Sequence, residues 1–414
     1  MTDAAEPPLA SRRGAIVLGG AHGSLEVARS LGRRGIPVWL LTADNPLASF
    51  SRYVVRSVRW RGPNDVGAVD FLLDLARRHG LEGWVLFAGG DDDVRFAAQN
   101  HSALSAIFTL TTLPWDQLRS AVDKRLMNAR ADELGIVHPR TRYPRFVDDL
   151  ASLGIPFPVI LKATARMGRN EFVDAKAWRA DDAQTLLARF EEAKRLVGAD
   201  RIMVQELIPG DGTAQFSYAA LWDRGRPIAS LVARRRRQFP VEFGFTSTFV
   251  ETIEQPQVEA DAGRFLASLG YSGLVEIEFK YDARDRAYKV LDVNARPWTW
   301  IALGAAAGID FPILQWRLAA GEEIAPHRGQ PGARWLYFSR DAAASICAMA
   351  TGRLSLRGYS GSFTAPLALA VFAKDDPWPA LLDLPLSIGR FAARRFAPRK
   401  RTDASALPSA ELSS

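Results

Sequence analysis

The chain has 414 residues, 48% of them hydrophobic and 24% charged; this excludes a disordered chain and, at about 150 residues per domain, leaves room for roughly three folded units. The single cysteine, Cys347, excludes an internal disulfide framework, and five histidines at no zinc-like spacing disfavour a zinc hydrolase. Lys and Arg number 53 against 46 Asp and Glu, a net +7 that favours anionic partners without choosing among phosphate, nucleic acid and lipid.

The polar segment 1–13 reads as a flexible arm without the apolar stretch of a secretion signal. No apolar run reaches the roughly 18 residues of a membrane span, so a cytoplasmic, soluble protein is expected. GAIVLGG (14–20), LEVARSLGRRG (25–35) and IPVWLLT (36–42) follow as strand, helix and strand, a unit that implies a parallel sheet. FLLDLARRHG (71–80), WVLFAGG (84–90), DDDVRFAAQN and FTLTTLP (108–114) continue the pattern and close a first domain at about 115. The turn GGAHGS (19–24) lacks G-x-G-x-x-G, and Asp44 is a poor acidic cap for the second strand, so nicotinamide binding is disfavoured.

From 116 the pattern changes. DQLRSAVDKRLMNARADELG (116–135) has helical spacing throughout, FPVILKA (157–163) reads as a buried strand, and ADDAQTLLARFEEAKRLVG (180–198) as an amphipathic helix. RIMVQEL (201–207), QFSYAALWD (215–223), RPIASLVAR (226–234), LVEIEFKYD (274–282) and AYKVLDVNAR (287–296) are further strands, with VEADAGRFLASLG (258–270) a helix between. Hairpins after a parallel domain imply an α+β body.

The hairpin 274–296 carries the chemistry. Strand alternation puts Glu276 and Glu278 on one face, and Asp292, Asn294 and Arg296 share a face in the returning strand. Pairing across ARDR brings Glu278 against Asp292 and Asn294, two carboxylates and an amide oxygen suited to Mg²⁺. Arg296 beside them suits a carboxylate or phosphate. Lys162 inside the apolar strand PVILKA needs a partner, because an unpaired ammonium is costly to bury. Gly168 lies in the small-residue loop ATARMGRNEF after it, and Lys124 opens a helix.

These residues, in this order, resemble the ATP-grasp enzymes, and among them the predicted carboxylate–amine ligases related to D-aspartate ligase, carbamoyl-phosphate synthase and biotin carboxylase. The resemblance covers roughly residues 14–325. It implies an α/β and α+β architecture: a Rossmann-like domain (14–115), a linker helix and lid (116–208) and an antiparallel catalytic domain (209–330). A C-terminal α-rich extension (331–396) and a disordered tail (397–414) follow. It further implies Lys124 and Lys162 as ATP-phosphate lysines and Gln205, Glu206 and Ile208 as the adenine hinge, with backbone contacts from the last two. Gly168 belongs to the phosphate loop, and Glu278, Asp292 and Asn294 are implied ligands of one or two Mg²⁺ (or Mn²⁺) ions. Arg296 supports the reacting carboxylate, and ARRRRQFPVEFGFTS (233–247), with Arg236 and Gln238, lines the acceptor side. Asp292 stands where the family usually has glutamate, and the phosphate loop has one glycine where biotin carboxylase relatives have a run.

The implied activity is amide formation from a small-molecule carboxylate and an amine through an acyl phosphate, with ATP and a divalent cation. Bicarbonate activation is the enzyme alternative, made less attractive because no biotin-carrier motif or amidotransferase cysteine is present. A nucleotide-binding protein without turnover is the other alternative. The RRRR run (234–237) suits an anionic substrate better than nucleic acid, having few aromatics nearby. WPALLDLPLSIGRFAARRFAPRKR (378–401) mixes apolar and basic residues, but Pro385 is expected to interrupt a helix there and packing to consume its apolar half, so membrane-surface contact is disfavoured. A homodimer is allowed by analogy with the family.

Overall fold

The computed structural model describes residues 13–43, 45–164, 171–175, 177–239, 246–350, 352 and 354–396. Gly168, the loop around it and the tail from 397 lie outside these residues. Among the described residues the strands form three sheets. β1 (Ala15–Leu18), β2 (Val38–Thr42), β3 (Val54–Arg59), β4 (Val85–Ala88) and β5 (Thr109–Leu110) make the first, in the order β3-β2-β1-β4-β5 and parallel throughout. β1, β2 and β4 are buried along their whole length. This is the burial that a parallel sheet covered on both faces requires of its near-continuous apolar strands.

The second sheet joins β6 (Thr141–Arg142), β7 (Val159–Ala163), β8 (Trp178–Ala180) and β9 (Ile202–Glu206) in the order β6-β9-β7-β8, antiparallel. Helix Ala183–Val197, capped by Asp182 accepting from the Thr185 N–H, buries Leu186, Phe190 and Ala193 with Leu161 and Val204 in a core of its own. The third sheet takes β10 (Gln215–Asp223), β11 (Arg226–Phe239), β12 (Thr246–Ile253), β13 (Gly273–Asp282) and β14 (Ala287–Asn294), with β15 (His327–Arg328), β16 (Arg334–Leu336) and β17 (Leu367–Leu369) added late in the chain. Its order is β14-β13-β10-β11-β12-β16-β17, with β15 beside β11. β11 runs five residues past the expected end at 234. The 331–396 segment is mostly helical and, in addition, extends this sheet through β16 and β17.

One face of the third sheet (Ala219, Leu221, Leu231) shares a core with helix His22–Gly32 and with Ala15 and Val17 of β1. The opposite face (Tyr218, Ile277, Phe279) packs on the helices at 115–133 and 256–268. The first and third sheets are therefore one packed body, clamped by Gly23: a Cβ there would lie 2.6 Å from the Pro297 carbonyl oxygen, so only glycine fits.

Two helical expectations are corrected. The pattern at 116–135 is two helices, Trp115–Val122 and Lys124–Glu133, because the Asp123 side chain accepts from the Arg125 and Leu126 N–H groups and restarts the helix. A capping aspartate competes with continuation of the preceding turn. The C-terminal helix Trp378–Phe396 passes through Pro385 without a break. Ala380 and Leu386, on either side of the proline, both pack on the main core and hold the two halves on one axis. Among the described residues no helix is long and apolar enough to cross a membrane.

Candidate active site

β13 and β14 pair in the register Glu276↔Asn294 and Glu278↔Asp292, with a bulge after Glu278. Directly opposed carboxylates repel, and such a pair persists only with nearby cations. Lys124, first residue of its helix, reaches Asp292 at 2.7 Å. With Asp292 41% exposed, this ion pair is worth about 0–1 kcal/mol and can be exchanged for another charged partner. Asn294 donates through Nδ2 to Glu276 at 3.2 Å and to Glu278 at 3.5 Å, while its Oδ1 accepts from Arg296. Ligation through Oδ1 therefore requires the amide to turn over, exchanging oxygen and nitrogen.

Glu276 lies deeper, 4% exposed, and accepts from Ser217 Oγ of β10 at 2.9 Å. Burial, and then the neighbouring Glu278, raise its carboxyl to about 7, with the Ser217 hydrogen bond opposing. Strand alternation signals this residue, but its role as a buried neighbour of the acidic pair emerges only from the packing.

Arg296 forms an ion pair with Asp91, the first residue of helix Asp91–Gln99 after β4. The acidic run 91–93 thus stands at a helix N-terminus facing the hairpin, where a parallel sheet presents its carboxyl edge. Burial by itself depresses the Arg296 guanidinium, but Asp91, then Glu276 and Asp292, outweigh it and hold it charged well above the ordinary arginine value. Arg296 is thus already engaged with a carboxylate.

Asp93, 7% exposed, sits at the same edge. Burial, then Asp92, raise it to about 7 against the opposing Gly90 backbone hydrogen bond. The native carboxyl holds its proton to about pH 7, whereas the unfolded one releases it near 3.8. The native state therefore binds more proton between those values, and stability from this group falls as pH rises through that window. Asp93→Asn is expected to abolish the slope and to be more stable than wild type by roughly 1–3 kcal/mol at pH 8. Melting curves from pH 5 to 8 check this; a gap between the two proteins that does not widen contradicts it.

The residues expected to meet a nucleotide stand on the neighbouring sheet. Lys162 of β7 donates to Gln205 Oε1 of β9 at 3.1 Å, and Gln205 donates in turn to Thr141 Oγ1. The Glu206 side chain is committed to Lys289 at 2.7 Å and to the Arg140 N–H, and its backbone N–H donates to the Arg140 carbonyl at 2.9 Å. The Ile208 carbonyl accepts from Lys280 at 2.9 Å, as does that of Gly210 at 2.8 Å. Lys280 and Lys289, which the sequence did not single out, thus pin the hinge of the second sheet to the acidic hairpin.

The arginine run disperses rather than forming one patch. Arg234 donates to the Thr213 carbonyl, Arg235 to Gln215 and Gln238, Arg236 to Glu251 at 2.8 Å, and Arg237 to Asp341 by two hydrogen bonds. Arg236 sits at a register shift between β11 and β12, which breaks the expected alternation. Residues 240–245 of the acceptor-side segment lie outside the described residues.

Among the described residues no three or more acidic, histidine or cysteine side chains gather into a metal cage. The donor set is smaller: Glu278, Asp292 and, after its amide turns, Asn294. Two carboxylates facing each other across the hairpin are hard oxygen donors, and such donors suit Mg²⁺. The residues fit the ion.

No protein-family model matches the sequence, and comparison with curated proteins finds no match. Solved structures do match. An L-amino acid ligase from Bacillus licheniformis aligns at 18% identity over 73% of each chain, with a TM-score of 0.56. The biotin carboxylase domain of the Hydrogenobacter thermophilus 2-oxoglutarate carboxylase, a dimer in complex with MgADP, ADP and bicarbonate, aligns at 16% over 77% of this chain and 73% of that one, TM-score 0.61. Biotin carboxylase from Campylobacter jejuni, in complex with a β,γ-ATP ligand, aligns at 13% over 77% and 73%, TM-score 0.57. These proteins share one architecture, and the three sheets described above follow it: the chain has the ATP-grasp fold.

Proposed function

We propose that the chain is an ATP- and Mg²⁺-dependent ligase that joins a small-molecule carboxylate to an amine. The observation that carries this reading is the union of the Glu278–Asp292 pair with Lys124 on one side and with Arg296 bound to a carboxylate on the other. Glu278, Asp292 and Asn294 would hold Mg²⁺, which when bound neutralises charge on the ATP phosphates. Lys124 leaves Asp292 for a phosphate, and Lys162 meets another. The Glu206 and Ile208 backbones read the adenine edge.

Arg296 exchanges Asp91 for the substrate carboxylate and orients one oxygen toward the γ-phosphorus. The new O–P bond forms as the bond to ADP breaks, with Arg296 and Lys162 stabilising charge on the transferring group. The amine then attacks the acyl carbon; phosphate leaves, and the amine proton goes to solvent. Residues around Gly168 would exclude water until attack is complete. A homodimer belongs to the same proposal, in the manner of the Hydrogenobacter domain.

The test is Mg²⁺-dependent ADP release over pools of amino acids, other carboxylates and bicarbonate, each with and without amines. ADP formed only with one carboxylate and one amine, and lowered at least a hundredfold by Lys162→Ala, is the expected result. Release with bicarbonate and no amine turns the reading toward carboxylation. ATP binding without release from any pool leaves a nucleotide-binding protein without turnover.

A further inference from the structure

The C-terminal helix leaves its apolar side uncovered. Leu381, Leu384 and Ile388, at helical spacing, are 64%, 57% and 61% exposed, and Trp378 at its start is 61% exposed. Its other side is anchored: Asp383, 4% exposed, accepts from Tyr337 Oη, and Ala380 and Leu386 pack on the main core. A mainly apolar cavity of about 250 Å³ adjoins the helix, lined by Leu369, Val371 and Ala380 together with Phe338 and Phe372, which are themselves about half exposed. Scattered exposed apolar residues are ordinary, but a contiguous stripe beside an open apolar cavity marks a docking surface.

Charge decides the occupant. From Leu384 to Thr402 the sequence has no acid, and it carries Arg390, Arg394, Arg395, Arg399, Lys400 and Arg401. A second copy docked in parallel would set these cations against each other, whereas an anionic lipid surface satisfies cations and apolar stripe together. A tryptophan at one end and arginines at the other suit the boundary between headgroups and acyl chains. The two grounds for dismissing lipid contact from sequence both fail here, since the helix is continuous through Pro385 and its apolar stripe is unpacked.

We propose that the helix Trp378–Phe396 lies on an anionic lipid surface, its Leu381–Leu384–Ile388 stripe inserted at the headgroup boundary and its arginines on the lipid phosphates. The helix lies on the bilayer and does not span it. The proposal is independent of the ligase reading.

The test is co-sedimentation of the full chain with vesicles of phosphatidylcholine alone and of phosphatidylcholine with about one-third phosphatidylglycerol, at about 50 mM and about 500 mM salt. Sedimentation is expected with the anionic vesicles at low salt and lost at high salt. Arg394→Gln with Arg395→Gln should weaken partitioning about thirtyfold, at roughly fivefold per cation. Leu381→Ser, Leu384→Ser and Ile388→Ser together should abolish it. All these side chains are solvent-facing or in the last turn, so melting temperatures should stay near wild type, which separates lost docking from lost folding. Equal sedimentation with both vesicles, or none with either, overturns the proposal. So does a doubled mass by light scattering that the serine variant returns to a monomer without any vesicle binding, since the stripe then covers a second copy.

Discussion

Glu278→Gln is expected to lower Mg²⁺-dependent ADP release by about a hundredfold to a thousandfold while leaving the protein as stable as wild type or slightly more so. The activity loss follows from removing one of two anionic donors facing each other across β13 and β14, a change comparable in size to losing one preorganised charge-stabilising group. The stability gain follows from the same geometry. Directly opposed like charges destabilise a strand pair by a few tenths of a kcal/mol or more, and glutamine relieves that at unchanged shape. Paired measurement of turnover and melting temperature checks both halves. Near-wild-type turnover with ordinary Mg²⁺ dependence removes Glu278 from the metal site, and a drop in stability shows that the pair is a structural element rather than a functional one.

The second large effect concerns how the C-terminal extension is held. Asp376, fully buried, accepts from Arg29 Nε at 2.9 Å, Ser51 Oγ at 2.7 Å and the Arg52 N–H at 2.9 Å. Arg29, 2% exposed, also donates to the Val371 carbonyl at 2.7 Å. The pair ties the segment after β17 to helix His22–Gly32 beneath the first sheet. Asp376→Asn leaves a buried guanidinium without its counter-charge, and the expected cost is about 3–5 kcal/mol. The double replacement Arg29→Met with Asp376→Leu should recover part of it, because two apolar side chains need no desolvation of charge although the Ser51 hydroxyl, the Arg52 N–H and the Val371 carbonyl lose a partner. Thermal melting of the two variants beside wild type checks the ordering. A double variant as unstable as the single one would place the cost in packing rather than in the orphaned charge.

The acidic hairpin was legible in its main lines from two local rules. Alternation gives the faces of Glu276, Glu278, Asp292 and Asn294, and the short turn after Asp282 gives the pairing of the two strands, but that turn's register alone would oppose Glu278 to Leu291, and the bulge after Glu278 is what sets it against Asp292. The parallel first sheet was legible in part for a similar reason, β1 and β4 being short apolar runs closed by glycine, whereas β3, mostly exposed, carries no such signal and is added by the structure. Local rules failed where packing overrode them. Asp123 splits a pattern that spacing alone joins, and Pro385 fails to split one because Ala380 and Leu386 are both seated on the core.

Period, turn chemistry and residue type within one element or hairpin were enough for the parallel first domain, the α+β body after it and the face on which the carboxylates stand, while the separate second sheet came from the family resemblance. Only the tertiary structure decided which charges meet. Lys124 on Asp292, Asp91 on Arg296, Lys280 on the Ile208 carbonyl and Arg29 on Asp376 join positions about 70 to 350 residues apart. Such pairs follow from how sheets and helices dock through their apolar faces, and a charged side chain carries no local signal of the partner that docking will bring.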